Sequence, residues 1–189
     1  MDDERKPMSG WVRALRCSPF LAVALCFGLP FFSVSSCEGG TQATTSGVGI
    51  VLGADPVIHQ GPGVAEPVDG VVDESKSISR AARPWAIATL ILVSVGGMVA
   101  ARVRRFHRVT SLASSVAAFS AATGIWAAVG LSADGQVEGG LLFASAILLL
   151  TAVWQVCALV FLAVRAALAS GGSAPAPAEW EPAAGDGSR

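Results

Sequence analysis

"CSPFLAVALCFGLPFFSVSSCEGG", residues 17–40, is the stretch whose reading decides the fold. An apolar run opens directly after Arg16 and stops at Cys37, in front of an acid and two glycines. Read as one element, Cys17–Val34 supplies 18 residues, just under the roughly 20 that a helix needs to cross a hydrocarbon layer about 30 Å thick. A segment at that depth must satisfy its backbone groups internally, so the expectation is a transmembrane helix over 17–36. Ser18 suits the cap and Pro19 the first turn, where a missing N–H costs nothing. Pro30 then bends or ends the helix near the outer surface.

The alternative reading is a lipoprotein signal cut before Cys37. Val34–Cys37, "VSSC", is an aliphatic residue, two small residues and cysteine, preceded by a basic segment and an apolar stretch. Acylation of Cys37 would anchor the new N-terminus. The apolar run exceeds the usual 7–15 residues of a signal core, which favours the intact helix. In that case Cys37 is a candidate for an intermolecular disulfide in an oxidising exterior.

Three further apolar runs follow, 84–101, 109–131 and 141–164. Across the 189 residues 52% are hydrophobic and 14% charged, against about 25% charged in soluble domains, and the mean hydropathy is +0.58. The expected fold is therefore an all-α integral membrane protein with four transmembrane helices. Its segments are a cytoplasmic N-terminus (1–16), helix 1 (17–36), a long outer loop (37–83) and helix 2 (84–101). A basic inner loop (102–108), helix 3 (109–131), a short outer loop (132–140), helix 4 (141–164) and a disordered cytoplasmic tail (165–189) complete the chain.

Lysine and arginine set the orientation. With the N-terminus inside, ten basic residues lie on the cytoplasmic side and three, Lys76, Arg80 and Arg83, lie outside. N-in, C-in is the best solution, in a bacterial plasma membrane.

The helices differ in character. The fourth run has fourteen Leu, Ile, Val or Phe residues, on the order of −4 to −8 kcal/mol toward insertion. The third has seven and is rich in Ser, Thr and Ala. Its Thr110, Ser114, Ala117, Ala121 and Gly124 share one small-residue face, and Leu112, Val116, Phe119 and Trp126 share a bulkier one. The small face is expected to pack against another helix, with Gly96 and Gly97 of the second run as contact points. No apolar run carries a charged residue or histidine in its interior, which argues against an ion-coupled transporter. Gln155 is the one strongly polar intramembrane side chain. Its expected role is an interhelical hydrogen bond, worth about 0.6–2 kcal/mol, rather than a ligand contact.

The residues "LPFFSVSSCEGG", "ATTSGVGIVLG" and "PWAIATLIL" together resemble a group of uncharacterised four-pass actinobacterial membrane proteins. In that group an LPF…VSC signature ends the first helix, matched here by Leu29, Pro30, Phe31, Val34, Ser36 and Cys37. The resemblance implies a four-pass topology and carries no activity.

In the outer loop, Val48, Ile50 and Leu52 alternate with smaller residues, so "SGVGIVLG" is expected to form a short strand. The rest is expected to lie on the membrane surface, with a binding cap as the alternative. Arg102, Arg104, Arg105 and Arg108 are candidate contacts for anionic headgroups, at roughly 1 kcal/mol each, and they also fix topology. Seven residues tied at both ends are too small a footprint for nucleic acid. His59 and His107 stand far apart, and no nucleophile–base pair or metal cluster can be assembled, so no enzyme, cofactor or metal is expected. The expected role is a structural, interaction or accessory subunit, with the lipid bilayer and another membrane protein or a second copy as partners. The alternatives are an extracytoplasmic ligand sensor and a passive transport component.

Overall fold

The computed structural model describes residues 10–35, 40–61, 69–102, 107–132 and 135–171. Its elements in chain order are α1 (Gly10–Cys26), β1 (Pro30–Ser35), β2 (Thr41–Ser46), α2 (Gly47–Leu52), β3 (Val57–Gln60), α3 (Asp69–Arg102), α4 (His107–Gly130), β4 (Gly135–Val137) and α5 (Gly139–Gly171). Three of the helices are long and apolar enough to cross a membrane: Gly70–Arg102, Arg108–Gly130 and Gly139–Ala169. The chain divides within α5 into two compact units, one ending at Val156 and the other starting at Cys157.

The first apolar run is where the expectation fails. The helix starts earlier and stops earlier than 17–36, and residues 30–35 form a strand. The amides of Phe27, Gly28 and Leu29 bond back three residues to the carbonyls of Ala24, Leu25 and Cys26, at 3.2, 3.0 and 3.0 Å. Such bonds satisfy the last carbonyls of a closing helix. Pro30 has no N–H with which to continue, and it can open a strand. Phe31, Phe32, Ser33 and Val34 are all buried, so the strand has no exposed face. A short apolar run of this kind looks the same as a piece of buried helix.

The expected all-α fold is thus corrected by a small sheet of order β3-β2-β1-β4. β1 pairs antiparallel with β2, with Ser33 opposite Thr44 and Val34 opposite Ala43. On its other side β1 pairs antiparallel with β4, with Phe32 opposite Val137. β3 completes the sheet against β2, with Ala43 opposite Ile58. The short strand expected in "SGVGIVLG" is instead helix α2. Ser46 accepts a hydrogen bond from the Gly49 amide at 3.1 Å and caps the N-terminus. Gly53, with φ 72°, closes the C-terminus in the left-handed conformation.

The boundary expected at residue 84 is also displaced. α3 is one helix of 34 residues that runs through Pro84. Its buried positions are Val71, Ser75, Ile78, Ala82, Ala86, Thr89, Val93, Gly96 and Ala100, spaced by three and four in a single stripe. The upper part of the stripe packs on the sheet and α2, where the hydroxyls of Ser75 and Thr45 meet at 3.3 Å. The Phe27 and Phe31 rings meet there at a tilt of 58°, with centroids 4.9 Å apart. The Gly47 backbone lies against both rings, so that a Cβ at this position would fall 2.7 Å from Phe31 and 2.9 Å from Phe27.

The lower part of the stripe meets α1 and α4. A Cβ at Gly96 would lie 2.7 Å from the Phe20 ring of α1 and 2.8 Å from Ser114 Cβ of α4. Gly124 lies directly against the Trp85 indole. The small face expected on the third run therefore does pack on α3, and Gly96 is the contact point. Because Ser114 meets Gly96 and Gly124 meets Trp85, α4 runs antiparallel to α3. α1 does too, since Cys17 Sγ donates to the Gly97 carbonyl at 3.5 Å while Ala24 and Val93 line one groove. α5 begins beside Leu29 and Pro30, against which Gly140 packs. It contributes Leu141, Ala144, Ser145, Leu148 and Thr151 to the buried set. The tail expected to be disordered from 165 is helical as far as Gly171.

Gly96→Ala should lower stability by about 1–3 kcal/mol, the usual cost of overpacking. Gly97→Ala, whose Cβ would meet Phe20 at an ordinary 3.4 Å, should be nearly neutral. Thermal unfolding of both variants in one detergent checks this difference.

Candidate functional site

The sheet, α2 and the upper half of α3 form a cap at the end of the molecule where α1 and α4 finish and α5 starts. Within the cap a cleft of about 280 Å³ is lined by Ile50, Gly53, Ala54, Asp55, Lys76, Ser79, Arg80 and Arg83. Two local features build it. On one wall α2 ends at Gly53, whose amide donates to the Ile50 carbonyl at 3.3 Å while the Ala54 amide donates to Gly49 at 2.9 Å. On the other wall Lys76, Arg80 and Arg83 stand at i, i+4 and i+7 of α3, the spacing of one helical face.

The walls are joined by two polar contacts. Arg83 Nε donates to the Val51 carbonyl at 3.2 Å. This cation satisfies a terminal carbonyl of α2 and complements the negative end of the helix. Lys76 Nζ lies 3.1 Å from Asp55 Oδ1, an ion pair whose side chains are 47% and 84% exposed. Such a pair is worth about 0–1 kcal/mol. Arg80 has neither a hydrogen bond nor an ion pair to any described residue. The Ser79 hydroxyl oxygen is buried without a hydrogen-bond partner. The cleft therefore offers cationic donors, opposed by one carboxylate.

The residues singled out in the sequence are placed as follows. Gln155 Nε2 donates to Ser111 Oγ of α4 at 3.3 Å, the interhelical bond expected of it. A second bond, Trp126 Nε1 to Ser145 Oγ at 3.1 Å, ties the same helices together nearer the cap. Arg102 is exposed at the end of α3, and Arg108 is half-buried in the first turn of α4. Cys37, Arg104 and Arg105 lie outside the described residues. Among the described residues Cys17, Cys26 and Cys157 are free thiols, and no cluster of potential metal ligands is found. Two features escaped the sequence reading. One is the cleft itself, because the charge rule treats Lys76, Arg80 and Arg83 only as exceptions; their i, i+4, i+7 spacing is the available signal. The other is Glu138, whose carboxylate accepts from the buried Ser33 hydroxyl at 2.6 Å and whose amide donates to the Phe31 carbonyl at 2.9 Å. It fastens β1 to the start of α5.

Comparison with protein-family models, with curated proteins and with solved structures gives no match.

Gly53→Ala should cost about 1–2 kcal/mol, from the positive φ and from a Cβ that would fall 3.1 Å from an Arg83 nitrogen. Lys76→Met should cost less than about 1 kcal/mol. Thermal unfolding of the two variants measures the difference.

Proposed function

We propose that this chain is a multi-pass plasma-membrane accessory protein. It crosses the bilayer four times with both ends in the cytoplasm, and its cap recognises a partner or ligand on the outer side by binding, without catalysis. The observation that carries the reading is α3. One unbroken helix holds the cleft at one end, passes through the apolar layer, and ends at the basic loop.

Several features support the fourth span. α1 is 17 residues long, about 25 Å, which is short for a crossing. Yet Cys17 is already level with Gly97, five residues before the end of α3, and Gly10–Arg16 precede it. α1 therefore covers nearly the same depth as the apolar half of α3. A short hydrophobic stretch is accommodated by local thinning of the bilayer. The four-pass reading agrees with the resemblance carried by the residues around Cys37.

The same geometry supports an uncleaved N-terminus. Cleavage before Cys37 would remove α1 and β1. β1 is a central strand, so β2 and β4 would lose their shared partner, and Gly96 would lose Phe20. Acylation of Cys37 on a mature N-terminus would thus require dismantling the cap.

A second reading, association within the bilayer, is favoured by α5. Leu142, Phe143, Leu149, Leu150, Val153 and Trp154 are exposed apolar side chains along it, a face open to lipid or to a partner helix.

The intact mass of the mature protein should include residues 1–36 without added acyl mass, and an acylated chain starting at Cys37 would refute the uncleaved reading. In a variant lacking the native cysteines, Asp55→Cys should react with an impermeant maleimide on intact cells. Labelling only after permeabilisation would put the cap inside and end the proposal. Photo-crosslinkers at Val57 and Phe143 separate the two readings: cap recognition predicts adducts from Val57, and adducts from Phe143 alone favour association through α5.

A further inference from the structure

We infer that the cleft between α2 and α3 holds a phosphate-type oxyanion at the outer membrane surface, the chemistry shared by an anionic phospholipid headgroup and free phosphate. The inference rests on the reading of the cap as an outer recognition surface and names what that surface binds.

The first argument is charge placed against a gradient. Basic residues close to a span bias its orientation toward the cytoplasm. In the four-pass orientation Lys76, Arg80 and Arg83 sit just outside the second span and work against it. All three line one cleft rather than scattering over the cap. Structural duty accounts for two of them, since Arg83 Nε holds the end of α2 and Lys76 pairs with Asp55. It does not account for Arg80. The terminal nitrogens of Arg83 also make no hydrogen bond to a described residue. Two guanidinium groups one turn apart supply the planar forks that match phosphate oxygens.

The second argument is size. About 280 Å³ lies at the lower end of ligand pockets, which suits a small anion or headgroup.

The third argument is position. Pro84 and Trp85 directly follow Arg83, and Trp85 is 48% exposed. A tryptophan at the end of an apolar run marks the interfacial layer, so the cleft opens at headgroup level. Asp55 is the opposing term. Its carboxylate lines the same cleft and repels an anion, so that site strength depends on its pairing with Lys76. This gives the test a sign that a purely structural cleft would not show.

Binding is read on the full-length protein in nanodiscs, in two arms. In one, native mass spectrometry follows retention of phosphatidylglycerol over phosphatidylcholine. In the other, inorganic phosphate is titrated against thermal unfolding in phosphatidylcholine nanodiscs. Arg80→Gln removes no contact that holds the fold and should weaken binding about fivefold. Asp55→Asn should strengthen it, and Arg102→Gln, at the far end of α3, should leave it unchanged. A response in the lipid arm alone assigns a headgroup, and one in the phosphate arm alone assigns soluble phosphate; either supports the site. Equal behaviour of wild type, Arg80→Gln and Asp55→Asn overturns it, as does an equal loss in Arg102→Gln, which would reduce the effect to general surface charge. Crosslinking from Val57 that persists alongside such a failure would discard the anion and keep the cap's recognition role.

Discussion

Helix α3 presents one buried stripe to two different surroundings, and the rest of the structure is arranged around that constraint. Over Val71–Ala82 the stripe meets a sheet and a short helix. Over Ala86–Ala100 it meets α1 and α4. A helical stripe of constant pitch permits this only if the residues it meets are chosen by size at each level. Near the cap they are bulky, Phe27, Phe31 and Ile50, and α3 offers Ser75, Ile78 and Ala82. Lower down α3 offers Gly96, and Phe20 and Ser114 close on it together. The small residue draws three helices to one point, a form of packing that contributes where apolar surroundings remove the usual hydrophobic drive between helices.

The sheet adds a second constraint. Its two edge strands, β3 and β4, leave backbone groups unpaired on their outer sides, and hydrocarbon tolerates no such lipid-exposed edge. In the proposed four-pass placement the polar boundary therefore lies at the turn from α1 into β1, around Leu29 and Pro30. That position coincides with the start of α5 at Gly139–Gly140 and with Trp85 on α3. The cap is thus fastened to the helices by short covalent links: three residues between α1 and β1, one between β4 and α5, and none between the two halves of α3. Glu138 completes the join by bonding β1 while preceding α5.

The three long helices were legible from run length, and the packing of Gly96 on Ser114 from the faces of the third run. Gln155 was legible because an amide among apolar neighbours needs a partner and Ser111 lies on the helix beside it. The sheet was hidden for a physical reason. β1 is buried on both faces, so Phe31–Val34 show no alternation and merge with the helix before them; Gly28 and Pro30 were the break signals. β2, "TQATTS", lacks the apolar run that marks strands: its buried positions are Thr41, Ala43 and Thr45, and the Thr45 hydroxyl meets that of Ser75. α2 was misread because Val48, Ile50 and Leu52 alternate, whereas the decisive residues were Ser46 and Gly53 at its ends. The first half of α3 is hidden because Pro84 looks like a helix start, although proline within a helix removes one hydrogen bond without ending it when tertiary contacts hold both sides.

The central claim is that α3 is a single rod from the cap to Arg102. Spin labels at Asp73 and Arg102, in a background without the native cysteines, measure it directly by pulsed electron resonance. The thirty residues from Asp73 to Arg102, as continuous helix, predict one narrow distance distribution centred at about 44 Å. A broad distribution, or a centre shorter by more than one helical turn, would mean that the chain breaks at Pro84 and that the cap is not carried by this helix.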